Sequence, residues 1–491
     1  MNPASPKVLF ISSEASPFAK TGGLADVGGA LPMSLADLGV QVMQVLPLYG
    51  TVREKEFKLT AVPGGLKVRL GRHTLRAGVF ETHTDAGNSV YFIDYRDFFD
   101  RPSLYGEGSR DYGDNLERFA FFCHAALTLP QKLSFSPTVV HSHDWQTGLV
   151  PALLKGPYHK STPLTRAASV FTIHNIGYPG LFAQDRMEAT GLSREEFFHT
   201  GGLEYYGWIS LLKSGIVYAD AVTTVSPTYA QEIQRPEYGM GMDGILRHRA
   251  SHVYGILNGA DYHHWDPETD PHIPHRYGPE RMAGKPGCKK ALIQEMGLDA
   301  TLREKPLLAV ISRLDHQKGL DLLVPILDAM VATGAGLVIL GEGDGHMEWQ
   351  FKEAARRHKG RVAAFIGFNE GLAHRILAGA DILLIPSRYE PCGLTQLYAL
   401  KYGTVPVVRG TGGLEDTVEA FDYITQQGTG FKFYPYDPWA LFGAVREGAA
   451  AYHHSGTWSR LLSNGMQADF SWERSARQYL AVYQSITDSR Q

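Results

Sequence analysis

Short apolar runs bounded by turn residues recur along the chain, and each reads as a buried strand of a parallel sheet. The first is 8–11 (VLFI). Apolar positions Val27, Leu31, Leu35 and Leu38 follow at helical spacing, Gly39 closes that helix, and 42–46 makes the next strand. This is a βαβ unit with a glycine turn at its first crossing. From 57 to 95 the period changes to alternation (LKVRL, LRAGVFETH, SVYFIDY), with turns at GGL, GRH and DAGN, which predicts an antiparallel insertion. The α/β rhythm returns with a helix over 117–129, a strand at 139–140 leading into His141-Ser142-His143-Asp144-Trp145, and a strand at 169–173 leading into His174-Asn175. Strands at 221–225 and 252–257 end in Ser226-Pro227 and Asn258-Gly259.

A proline- and glycine-rich stretch ending at Gly287 then interrupts the pattern and reads as a linker over 261–287. Beyond it the rhythm restarts, with strands at 307–311, 336–340, 362–366, 382–386 and 405–408 and a helix over 319–330. The expected fold class is therefore α/β, with two Rossmann-like domains, 1–260 and 288–471, facing each other across a cleft. A TGGL-x-D motif occurs in both halves, at 21–26 and 411–416, as parallel use of a glycine turn.

Composition narrows the function. A chain of 491 residues is long enough for two or three domains, and 44% hydrophobic with 20% charged residues describes a soluble globular protein. A net charge of -4 gives no reason to expect nucleic acid or a membrane surface as partner. Three scattered cysteines, odd in number and without metal-type spacing, argue against a disulfide framework, and the short N-terminal apolar run suits neither a signal nor a membrane span, so a cytoplasmic protein is expected.

The richest chemistry lies in 387–418, SRYEPCGLTQLYALKYGTVPVVRGTGGLEDTV. Strand, tight turn and helix there put backbone N–H groups and the carboxylate of Glu390 at the carboxyl edge of a sheet. Arg313 and Lys318 follow the 307–311 strand and face the same edge, as cations for a departing diphosphate. Lys20 with Gly22 and Gly23 offers a further cation and backbone donors. His174 follows a buried strand at the edge of the sheet, where a lone histidine is more often a structural hydrogen-bonding group than a catalyst. His141, His143 and Asp144 invite a metal reading, but a strand turns Asp144 away from the two histidines and no third ligand is evident, and no Asp-x-Asp pair is present. No metal is expected; Arg and Lys take its place. Cys392 is either a reactive thiol at a helix start or a buried inert one.

KTGGLADV, HSHDWQTGL, FTIHNIGYPG, ILNGAD, SRLDHQKGLDLL and the 387–418 stretch, in that order, resemble the bacterial glycogen synthase and plant starch synthase family. The resemblance covers nearly the whole chain. It implies a GT-B fold and retaining transfer of glucose from ADP-glucose to the non-reducing 4-hydroxyl of an α-1,4-glucan such as glycogen, releasing ADP, with no cofactor or metal. It also implies that the segment 472–491 crosses back onto the N-terminal domain. By the same resemblance Thr411, Gly412 and Gly413 form the donor-phosphate turn, Asp144, Asn258, Cys392 and Gly393 contact sugar or acceptor, and His174 contacts the transferred glucose. Many retaining GT-B enzymes carry a second glutamate eight positions after the first; here that position is Tyr398. A UDP-glucose-using transferase, an epimerase and a non-catalytic glucan-binding scaffold are the alternative readings, and oligomeric state is left open.

Overall fold

The computed structural model describes residues 5–84, 87–108 and 110–488. Asp85 and Ala86 of the expected DAGN turn lie outside the described residues. The chain divides into two units, one of Met1–Gly259 with Trp472–Gln491 and one of Ala260–Ser471.

In the first unit seven parallel strands lie in the spatial order Val253–Gly255, Ala221–Thr224, Ala168–Ile173, Val139–His143, Lys7–Ile11, Gln41–Pro47 and Ser89–Asp94. The central strands are buried along nearly their whole length, which is why their sequences are continuous apolar runs. His73–His83 joins antiparallel to Ser89–Asp94, and Leu66–Leu70 pairs with it with alternating burial, as the period of two predicts. Helix Trp472–Asp488 belongs to this unit. Its stripe of Trp472, Ala476, Tyr479, Tyr483 and Ile486 packs with Val8, Phe10, Leu31 and Val139 in one core. Full burial of a Val, Leu, Ile or Phe side chain such as these stabilises by about 1.5–3 kcal/mol.

The second unit is a six-stranded parallel sheet in the order Val362–Ile366, Gly336–Gly341, Leu307–Ile311, Ile382–Ile385, Val405–Arg409 and Phe431–Phe433. Residues 261–287 pack within it: Ile273 and Tyr277 are part of its core, and Tyr277 donates from its hydroxyl to the Tyr402 carbonyl at 2.8 Å. Proline and glycine there make the path irregular without detaching it. The helix expected over 319–330 is broken into 3-10 turns, Leu320–Leu322 and Val324–Ile326, before helix Leu327–Ala332. Pro325 is the cause, since it has no N–H to donate and its ring crowds the preceding turn. No helix among the described residues is long and apolar enough to cross a membrane.

Candidate active site

Strand order in the second unit reverses its chain direction between Leu307–Ile311 and Ile382–Ile385, the switch point at which open α/β sheets bind ligands. The loops that leave these two strands carry Arg313 and Lys318 on one side and Ser387 to Gly393 on the other. Lys318 Nζ donates to Glu390 Oε2 at 2.7 Å, and Ser387 Oγ donates to the same oxygen at 2.9 Å. The loops are sewn together by the Arg388 N–H, which donates to the Gln317 carbonyl at 2.8 Å. Gly319 sits at φ +66°, and a Cβ there would lie 2.0 Å from the Pro386 carbonyl oxygen, so only glycine allows this approach.

The glycine turn after Val405–Arg409 closes on the same place. The Gly413 N–H donates to the Glu390 carbonyl at 3.0 Å, and at Gly412, φ +46°, a Cβ would meet that carbonyl oxygen at 2.0 Å. Thr411 is buried at the start of helix Gly412–Thr417. Arg313 is more exposed and pairs through Nη1 with Asp315 at 3.0 Å. Cys392 is buried, and Gln396 Nε2 donates to the carbonyls of Cys392 and Gly393 at 3.0 Å each, with Gly393 at φ +72°. Tyr398 lies flat on Trp265, with ring centroids 4.5 Å apart. The position of the missing second glutamate therefore serves packing.

The first unit has its own switch point, between Lys7–Ile11 and Val139–His143. Asp144 follows the second strand at φ +53°. Its Oδ1 accepts from the His174 N–H at 2.7 Å and the Asn175 N–H at 3.4 Å, so this carboxylate fixes the turn after Ala168–Ile173. Burial raises the Asp144 pKa to about 7, partly offset by those two N–H groups, and burial lowers that of His174 to about 3. His174 Nε2 shares a hydrogen bond with His143 Nδ1 at 3.0 Å, and His141 Nδ1 shares one with the Tyr483 hydroxyl at 2.8 Å. The two strand histidines are thus spent on packing and positioning. Asn258 is buried, and its Oδ1 has no hydrogen-bond partner among the described residues.

Lys20 pairs with Asp26 at 2.7 Å, and Gly22 precedes helix Gly23–Asp37. A residue that the sequence reading missed organises this loop. Glu14 is buried; it accepts from the Thr21 N–H at 2.5 Å, the Thr21 hydroxyl at 2.7 Å and the Tyr105 hydroxyl at 2.6 Å. Burial raises its pKa, against hydrogen bonds from Tyr105, Thr21 and the Gly22 N–H. Its signal was present: one acid among small residues directly after the first buried strand.

Comparison with known proteins fits this geometry. The family model for the starch synthase catalytic domain matches residues 7–248, and that for glycosyl transferases group 1 matches residues 299–447. A glycogen synthase of Anaeromyxobacter sp. is 48% identical over 98% of this chain and 99% of its own, and one of Myxococcus xanthus is 43% identical over the same shares. The chain belongs to the glycogen synthase family. It is a glycosyltransferase, a retaining hexosyltransferase whose function is glycogen synthesis, and its fold is GT-B. The catalytic domain of starch synthase IV from Arabidopsis thaliana, solved with ADP and acarbose, superposes with a TM-score of 0.91 at 32% identity over 99% of this chain and all of that one. A sucrose-phosphate synthase from Thermosynechococcus elongatus, at 18% identity and a TM-score of 0.58, shares the fold alone.

Proposed function

We propose that this chain transfers glucose from ADP-glucose to the non-reducing 4-hydroxyl of an α-1,4-glucan, with retention, and that Arg313, Lys318, Glu390 and the 411–413 turn receive the donor. The observation that carries this reading is the convergence of Lys318, Ser387, Glu390 and Gly413 at the switch point of the second unit. The starch synthase IV relative was solved with ADP and acarbose, which supports an adenosine diphosphate and a glucan as ligands.

Breaking the bond between the anomeric carbon and the diphosphate leaves negative charge on the phosphate and positive character on the sugar. Lys318, held by Glu390 before the donor arrives, is then shared with the phosphate, and Arg313 exchanges Asp315 for the same oxygens. Glu390 faces the positive charge of the sugar. The acceptor hydroxyl attacks from the side that the diphosphate leaves, and its proton passes to the departing phosphate oxygen, so configuration is retained and no metal takes part. His174, kept neutral by burial, is too weak a base to accept that proton and acts as a neutral sugar contact. Asp144 holds the His174 backbone for that contact. Asn258 offers its unpartnered oxygen to a sugar hydroxyl. Lys20, Gly22 and Gly23 serve the phosphates once Lys20 leaves Asp26. Cys392 and Gly393 shape the sugar pocket. The protein works in the cytoplasm without a cofactor.

The test is transfer of labelled glucose to glycogen from ADP-glucose and, in parallel, from UDP-glucose, with a chelator present. Incorporation from ADP-glucose at an undiminished rate is expected. Preference for UDP-glucose, or glucan binding without transfer from either donor, contradicts the reading.

A further inference from the structure

The second unit carries a cluster of side chains that the transfer reaction does not use. Helix Glu370–Gly379 begins at Asn369, whose side chain accepts from the Leu372 N–H at 2.9 Å. Glu370 and His374 are four residues apart on it and share a face. The turn at 261–265 is held by Asp261 Oδ1, which accepts from the N–H groups of His263 at 3.0 Å and His264 at 3.3 Å. It brings His264 Nε2 to 3.5 Å from Glu370 Oε1. One potential ligand atom from each of His264, Glu370 and His374 falls within 4.8 Å of the others.

His374 is fully buried, and its ring is fixed from two directions. Nδ1 lies 2.8 Å from Asp270 Oδ2, an oxygen that also accepts from the Tyr402 hydroxyl at 2.5 Å, while Asp270 Oδ1 accepts from the His272 N–H at 2.7 Å. With Asp270 Oδ2 as acceptor, Nδ1 is the nitrogen that donates, which leaves the lone pair on Nε2. Trp265 lies flat on the ring, with centroids 3.7 Å apart and planes 7° apart, so the ring cannot turn to find a donor. Nε2 is buried with no hydrogen-bond partner among the described residues. Its lone pair is therefore available to an electrophile.

We propose that His264, Glu370 and His374 bind one divalent transition-metal ion of the zinc class, which staples the 261–265 turn to helix Glu370–Gly379. Two imidazoles and a carboxylate select zinc over magnesium or calcium, and water completes the coordination. Bonds of about 2.0–2.2 Å bring ligand atoms to roughly 3.3–3.6 Å of one another. His264 and Glu370, both near half exposure, can make that contraction while His374 stays in place. Asp270 is the outer carboxylate that orients the fixed ligand. The ion is structural and has no part in glucosyl transfer.

The experiment strips the full-length protein with a chelator and removes the chelator. Zn2+ is then titrated by calorimetry, and Co2+ is followed through its visible absorption. One equivalent is expected, with four-coordinate cobalt bands, a higher melting temperature with zinc, and transfer activity unchanged by stripping. His264→Ala and Glu370→Gln alter side chains with solvent access, so both variants should fold, and each should weaken zinc at least tenfold. No saturable uptake, or equal uptake by both variants, overturns the site. Loss of transfer on stripping overturns the structural role.

Discussion

Lys318 and Ser387 converge on one carboxylate oxygen of Glu390, and that small network is the residue-scale basis of the account. Glu390→Gln keeps the shape but removes the charge that, in the proposed mechanism, faces the developing sugar cation. The expected result is a fall in kcat of about 10³-fold or more with ADP affinity unchanged or tighter, because Lys318 is freed for phosphate. A folded variant with ADP affinity weakened tenfold would contradict this role. Asp144 and His174 bring opposed pH dependences. Burial lifts Asp144 from 3.8 to about 7, so the unfolded chain gives up a proton that the folded one keeps. Stability from this group is therefore present at low pH and lost as pH rises toward 7. His174 is lowered from 6.5 to about 3, so its contribution is present above 6.5 and lost as pH falls toward 3. Asp144→Asn removes the first effect alone. Its melting temperature relative to the parent should climb between about pH 4 and about pH 7, as followed by thermal melts across that range; a difference independent of pH would contradict the assignment.

At the scale of elements, glycine turns decide how close the loops come. Gly412→Ala puts a methyl 2.0 Å from the Glu390 carbonyl oxygen at a positive φ, so the turn must move. A loss of activity of about 10²-fold is expected with only a modest drop in melting temperature, and steady-state kinetics beside a thermal melt checks both. Tyr483→Phe on helix Trp472–Asp488 deletes the partner of His141 Nδ1, while Nε2 keeps the Thr172 hydroxyl, and should cost roughly 1 kcal/mol in a denaturant titration. Much of this scale was legible. The strands at 307–311 and 362–366 carry the same bounds in sequence pattern and structure; the first is a central strand buried along nearly its whole length, which writes itself as a continuous apolar run, and the second keeps an apolar run at the sheet edge although Phe365 is exposed there. The 319–330 helix was misread because its apolar spacing hid Pro325. Glu14 escaped notice because its role depends on Thr21 and Tyr105, and Tyr105 lies 91 residues away.

Across the whole molecule, the restart of the α/β rhythm announced two sheets, and both form with a switch point. The motifs lay at strand ends, so pattern alone brought Arg313, Lys318 and Glu390 to one sheet edge. The pairing of Lys318 with Glu390 was not legible, because it depends on how two loops 72 residues apart cross. Residues 261–287 read as a linker from their prolines, whereas Tyr277 and Ile273 anchor them in the second unit. Four buried histidines, His124, His141, His143 and His174, all have pKa values lowered chiefly by burial. Each therefore adds up to about 1.4 kcal/mol of lost stability per pH unit below 6.5, which predicts steep acid unfolding.

A donor site built on lysine and arginine in place of a metal should hold ADP in excess chelator, which calorimetric titration measures. Parent protein and Lys318→Ala are compared. The parent should bind ADP with chelator present, and the variant should bind it at least tenfold more weakly. No binding by the parent without metal, or equal affinity in the two proteins, would contradict it.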